Sequence, residues 1–377
     1  MALNQVGLER LGTSVTDKIG ERKNLIINGA MQVAQRGTSS TTSGMSTVDR
    51  FKAAFAGHDE ALTQAQVDVS SGTTPYTLGF RKAFKITNGN QTSGFGSADY
   101  FQIQHKIEAQ DIAQSGWNYN SDSSFVTLSF WIKSSVAQNF YGYLKSQDGT
   151  FRRYVYETGS LTADTWTKIT KKIPGNSGIT FNNDNGEGLI LELIYFSGSD
   201  ETGSVSLNSW ATFNSSLRTP ANTSTWWTTN DSTLEITGVQ LEVGSVATDF
   251  ENKTFAEDLA LCQRYCCKWH TQGGTTNNHS RFQSGYYTTS SQGVFFLFHP
   301  VAMRSTDGRT LTHNIGNVES LTGGGASNSL SIMGDGSSSM ITPILVSSLS
   351  TVTANTLYAC RVASAQTNWY LIVSAEL

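Results

Sequence analysis

The sequence predicts a mainly β protein: an antiparallel β-sandwich, a connecting helix, then a smaller C-terminal β domain. Three observations carry that prediction. Long stretches alternate apolar and polar residues with a period of two. Gly, Asn and Asp break them at short intervals, as tight turns require. The composition is also that of strands and turns: 35 Gly, 5 Pro and 11% aromatics, with only 15% charged residues. About 25% charged is usual, and small hydroxyl residues fill the gap. With 377 residues, the chain has room for two or three domains.

In chain order, residues 1–23 place Leu3, Val6, Leu11, Val15 and Ile19 at near-helical spacings. Gly7 and Gly12 weaken a helix this short, so it needs a partner surface. It is read as a docking segment. Residues 24–250 form the sandwich. In Phe125–Lys133, Val126, Leu128, Phe130 and Ile132 alternate with polar neighbours. Phe101, Ile103 and Ile107 share a face with His105, and Leu189, Leu191, Leu193 and Tyr195 share another. Leu234, Ile236, Val239, Leu241 and Val243 line one strand if Gly238 forms a bulge.

Residues 251–271 are predicted as the connecting helix. Thr254 and Glu257 make a capping box, and Phe255, Leu259, Cys262 and Cys266 recur at helical spacing, with an end near Trp269–His270. Residues 272–377 are β again: GVFFLFHPVAM is a buried strand stopped by Pro300, LTGGGASNSLSIMGDGSSSMITP is hairpin material, and NWYLIVSAEL is a closing strand.

Several classes of function are excluded or disfavoured. A net charge of −4, with basic runs no longer than pairs such as Arg152–Arg153, offers no footprint for nucleic acid. No apolar stretch approaches the roughly 20 residues of a membrane helix, and the first 20 residues lack the apolar core of a secretory signal. Four cysteines do not make a disulfide scaffold in a chain of this length, which fits synthesis in a reducing cytosol. No Gly-x-Ser-x-Gly, P-loop, Gly-x-Gly-x-x-Gly or His-Glu-x-x-His occurs, so the chain is read as non-enzymatic.

Two constellations remain as candidates. On a continuous helix, Cys262, Cys266 and His270 would share a face and could supply three ligands to zinc. They equally continue an apolar stripe in which free cysteine acts as a small core residue. The turn Asn183-Asp184-Asn185 with Glu187 offers oxygens to calcium, without EF-hand spacing. Neither metal is indicated, and no cofactor is predicted. The aromatic pairs say more. Trp226 and Trp227 lie in the polar segment RTPANTSTWWTTNDS, and Trp117 and Tyr119 in SGWNYNSDS. Two adjacent indoles on an extended strand cannot both point inward. Exposed rings beside Asn, Asp and Thr suit a sugar, with flat faces for C–H groups and polar arms for hydroxyls. The alternative is that they cap the core or fill a subunit interface.

Three segments together resemble phage tail fibres and related virion surface proteins. They are NLIINGAMQVAQRGTS with TVDRF; ITGVQLEVGSVATDFENKTFAEDLALCQRYC; and HPVAMRS with YLIVSAEL. The resemblance spans nearly the whole chain and is most specific from Gly238 to Tyr265. It implies a carbohydrate-binding-module-like jelly roll over the first 250 residues and a homotrimer. It implies attachment to tail or adaptor proteins through the N-terminal segment, and recognition of bacterial surface polysaccharide. The family has no catalytic signature to carry over. The expected location is the virion, as a tail fibre made in the host bacterial cytoplasm. The alternative is a purely structural capsid or tail decoration.

Overall fold

The structure is a computed structural model that describes residues 24–270, 281–315, 318–320, 326–349, 352–355, 357–362 and 369–377. The N-terminal docking segment, residues 1–23, lies outside the described residues.

Twelve strands build the first body: β1 (Ser39–Ser40), β2 (Phe51–Ala56), β3 (Thr63–Asp68), β4 (Lys82–Thr87), β5 (Tyr100–Glu108), β6 (Phe125–Ser134), β7 (Tyr141–Ser146), β8 (Arg152–Glu157), β9 (Thr167–Pro174), β10 (Glu187–Ser197), β11 (Trp210–Thr212) and β12 (Thr233–Val243). They form two six-stranded antiparallel sheets, in the orders β1-β3-β4-β12-β6-β9 and β11-β8-β7-β10-β5-β2. The chain passes back and forth between the sheets, giving the jelly-roll-like sandwich. Between them lies one large core that includes Phe51, Phe84, Phe101, Phe130 and Phe196.

The alternation predicts this core well. Val126, Leu128, Phe130 and Ile132 all face it, as do Phe101, Ile103 and Ile107, and His105 lies edge-on to Phe51. The bulge in β12 forms where expected: Gly238 has φ +62°, and the register against β6 slips between Thr237 and Gln240. Leu234, Ile236, Val239 and Leu241 therefore stay inside. One face differs from the predicted one. In β10 the register against β5 slips between Glu192 and Ile194, an irregularity that no glycine announces. Tyr195 is carried to the outer face, where it packs with Tyr143 and Val155.

Among the described residues are four short helices: α1 (Thr74–Thr77), α2 (Ala109–Ala113), α3 (Thr225–Thr228) and α4 (Phe255–Gln263). Helix α4 starts with the predicted capping box, Thr254 and Glu257 bonding reciprocally. It ends at Gln263 rather than near His270, a correction to the predicted span. Cys266–His270 is instead strand β13, paired residue for residue with the chain's final strand. Cross-strand pairing with a segment a hundred residues away outweighs helical periodicity here.

The second body adds β13 (Cys266–His270), β14 (Arg281–Tyr287), β15 (Gly293–Phe298), β16 (Thr310–His313), β17 (Val318–Ser320), β18 (Ala326–Ser327), β19 (Ser329–Ile332), β20 (Ile341–Ser347), β21 (Leu357–Val362) and β22 (Tyr370–Ser374). A three-stranded sheet, β13-β22-β16, packs with a seven-stranded one, β18-β17-β21-β14-β15-β20-β19, around Phe295, Leu297, Ile344, Trp369 and Leu371.

Candidate functional site

The aromatic candidates are core residues. Trp226 and Trp227 are both 0% exposed. They sit on α3, and a helical turn separates adjacent side chains by about 100°, so both enter the core where an extended strand would force one out. Trp226 packs 4.4 Å from Phe101 and Trp227 5.5 Å from Phe95, centroid to centroid. Their indole N–H groups donate to the carbonyls of Thr233 and Gly94. Asn88 and Ser232 donate to their carbonyls in turn. Trp117 is 3% exposed and packs against Phe181 with the half-buried Tyr119. None of the three indoles offers a free face, and Tyr119 lies edge-on to Phe181, so these residues are not exposed stacking platforms.

The zinc candidate dissolves for the same reason that α4 ends early. Cys262 is on the helix, Cys266 opens β13, and His270 is exposed at the far end of that strand. Among the described residues no group of three or more His, Cys, Asp or Glu could hold a metal ion. Cys262 belongs to a small core with Ile27, Val33 and Tyr265. Burial pushes the thiols of Cys262 and Cys266 well above the usual range, as expected for inert packing residues.

The structure brings together something else. All three segments carrying the family resemblance meet at the junction of the two bodies. Asn28, with φ 60°, opens the NGAM turn and donates to the carbonyls of Val33 and Asp49. Asp49, fully buried, accepts from the backbone N–H of Gln35 at 3.0 Å and lies 3.7 Å from Arg36. Removal from water raises the Asp49 carboxyl to about 6, against the opposing pull of Arg36.

Arg50, also fully buried, donates to Glu376 and to the carbonyl of Lys106. Its guanidinium lies 3.4 Å from the centre of the Tyr265 ring. Arg36 also binds Glu376, at 2.9 Å. Arg264 grips the buried Glu108 in a bidentate pair, both contacts 2.7 Å, and the Tyr265 hydroxyl donates to the same carboxylate. Arg304 donates to the carbonyls of Ala375, Glu376 and Asn185. Burial disfavours charge on Arg36 and Arg50, yet neighbouring carboxylates raise both above their usual value.

Beside this junction runs an open groove of about 610 Å³. One wall is the outer face of the three-stranded sheet. Thr310 pairs with Ser374 and Thr312 with Ile372, so these side chains stand in a row with Tyr370. The opposite wall comes from the sandwich: Arg36, Thr42, Met45, Ser46 and Lys52. Glu376 is the one acidic side chain among the lining residues, and it is held by Arg36 and Arg50. The groove therefore presents hydroxyls, cations and an aromatic ring. It lacks the two opposed carboxylates of glycoside hydrolysis.

Sequence reading missed these residues because the walls come from positions 36–52 and 310–377, and only the junction makes them neighbours. The local signal was the alternation in Thr310–His313 and in YLIVS.

No family model and no curated protein matches the sequence. Solved structures match weakly. The enzymatically active domain of bacteriophage CBA120 tailspike protein 4 is 9% identical, over 59% of this chain and 21% of that one, with a TM-score of 0.31. A putative sugar-binding protein from Bacteroides thetaiotaomicron is 12% identical over 59% of this chain and 100% of its own, also with a TM-score of 0.31. A family 11 carbohydrate-binding module from Clostridium thermocellum is 14% identical over 55% and 95%, with a TM-score of 0.26. None of these likenesses identifies a ligand for this chain.

Proposed function

We propose that the protein is a non-catalytic virion attachment protein, a tail fibre component that binds bacterial surface polysaccharide through the junction groove. The groove's chemistry carries this reading. Hydroxyls from Thr42, Ser46, Thr310, Thr312 and Ser374 surround Tyr370 and two cations. A sugar chain needs that combination: hydrogen-bond partners for its hydroxyls and one flat apolar face. Along β22 the row from Tyr370 to Ser374 extends about 13 Å, so the site suits a run of pyranose rings rather than one.

The sequence resemblance to phage fibres supports the virion assignment and the homotrimer. Binding in the groove is expected to be weak for each chain, and three copies per fibre with several fibres per particle raise avidity by roughly 10²–10⁴. The second reading, a purely structural decoration protein, is favoured by one observation: Trp117, Trp226 and Trp227 belong to the core and Tyr119 packs against it.

One experiment separates the two. The double variant Tyr370→Ala with Thr312→Ala leaves the junction pairs intact and is expected to unfold at nearly the parent temperature. Particles carrying it are expected to lose most adsorption to host cells. Undiminished adsorption rejects the groove. The parent chain in dilute buffer is expected to have the mass of three copies.

A further inference from the structure

We infer that the groove takes an acidic polysaccharide, with carboxylate or phosphate groups of the chain received by Lys52, which lines the groove with Tyr370, and by Lys268, which stands over the Tyr370 ring from the neighbouring groove. This deepens the proposed glycan reading and rests on it. The observation is a charge imbalance at the site. Lys52 stands on β2, the edge strand of its sheet, and lines the groove. Lys268 stands on β13, directly across from Ile372 of β22. Its ammonium lies 5.4 Å from the centre of the Tyr370 ring, and it lines a second groove of about 470 Å³ together with His270. Among the described residues neither lysine forms a salt bridge.

The acids of the junction are already committed, and Glu192, whose charge also acts on Lys52, has its carboxyl raised to about 7 by burial. Glu376 is shared by Arg36 and Arg50, and Asp49 is buried against Gln35 and Arg36. The junction therefore neutralises its own carboxylates with arginine and leaves two lysines over. An ammonium on a flexible stem suits this role, because it meets an anion as a point charge and does not demand one geometry.

Tyr370 shares the groove lining with Lys52 and lies under Lys268. One side of its ring faces Lys268, so a sugar stacked on the ring would carry its charged substituent towards that lysine. A neutral glycan would make no use of the arrangement. The whole chain has a net charge of −4, so attraction of an anion must come from this local patch and not from the overall field.

The test uses the full chain and three probes: polygalacturonate, dextran phosphate and plain dextran, followed by affinity electrophoresis and calorimetry. The expected result is retardation by one or both acidic polymers and none by plain dextran. Affinity should fall about tenfold in roughly 0.5 M salt, where screening extends only a few Å. Which acidic polymer binds identifies the charged group as carboxylate or phosphate. The variant K52Q/K268Q is expected to keep the parent unfolding temperature and lose at least about tenfold in affinity. The single variant Lys52→Glu should do so through charge reversal.

Equal binding of plain dextran, or binding indifferent to salt and to both lysines, overturns the inference while the glycan groove stands. Loss of dextran binding in the Tyr370→Ala variant would then locate that groove. Failure of all three polymers to bind overturns both.

Discussion

Glu192 is a carboxylate enclosed on the outer face of the second sheet. It is 3% exposed; Gln104 donates to one oxygen, and the other has no hydrogen-bond partner. Burial raises its pKa to about 7, against the lowering effect of Gln104 and of the cations Arg218, Lys52 and Lys106. The unfolded chain loses that proton near pH 4.5. Between these values the native state binds more protons than the unfolded state, so this residue's contribution makes stability fall as pH rises from about 4.5 to 7. Glu192→Gln removes the dependence and keeps an acceptor for Gln104. The variant is expected to match the parent near pH 4 and to exceed it at pH 8 by on the order of 2 kcal/mol in urea unfolding. Parallel curves for the two proteins would show that Glu192 ionises freely. The tryptophans mark the same scale from the other side: a residue type and a polar neighbourhood announce a ring, but not which way it points.

Among the elements, β12 shows how one residue holds a register. Its bulge depends on Gly238, whose φ of +62° is costly for other residues. A Cβ added there would lie 2.6 Å from the ring of Phe80, which is itself buried. Gly238→Ala is therefore expected to lose about 2–3 kcal/mol, read from chemical denaturation. Adding Phe80→Leu should return part of that loss if ring overlap is the main cause. The bulge was legible because a glycine interrupted a clean alternation. The slip in β10 was not, because the residues around Glu192 and Ile194 are ordinary strand formers. Helix α4 divides in the same way. Its start is chemical and local, a Thr and a Glu three residues apart, whereas its end is imposed by a partner strand.

At the scale of the whole molecule, the two bodies are joined by charge. Arg50 is fully buried and meets Glu376, a residue more than 300 positions away. Glu376→Gln leaves that guanidinium without a carboxylate, at an expected loss of about 3 kcal/mol. Because the lost contact lies between the bodies, calorimetry is expected to show the single unfolding transition splitting into two. One unsplit transition at the parent temperature would mean that Arg264–Glu108 and the Arg304 contacts suffice alone. The groove stands or falls with this joint, since its walls belong to different bodies. Its ligand chemistry is thus a property of the assembly of the chain, not of any strand within it.

By itself the sequence determined what depends on neighbours a few residues apart: the β class, the inward faces of β5, β6 and β12, the bulge at Gly238 and the cap of α4. Period, turn chemistry and capping are local, so they can be read along the chain. It also marked NLIINGAMQVAQRGTS, TVDRF, LCQRY and YLIVSAEL as special without showing why. Only the tertiary structure decided that these segments meet, that Trp226 and Trp227 face inward, that Cys266–His270 pairs as a strand, and that Lys52 and Tyr370 line one groove with Lys268 beside the ring. Each of those outcomes is settled by burial or pairing between residues far apart in sequence. The free energy of such contacts depends on what lies opposite, which no local pattern encodes.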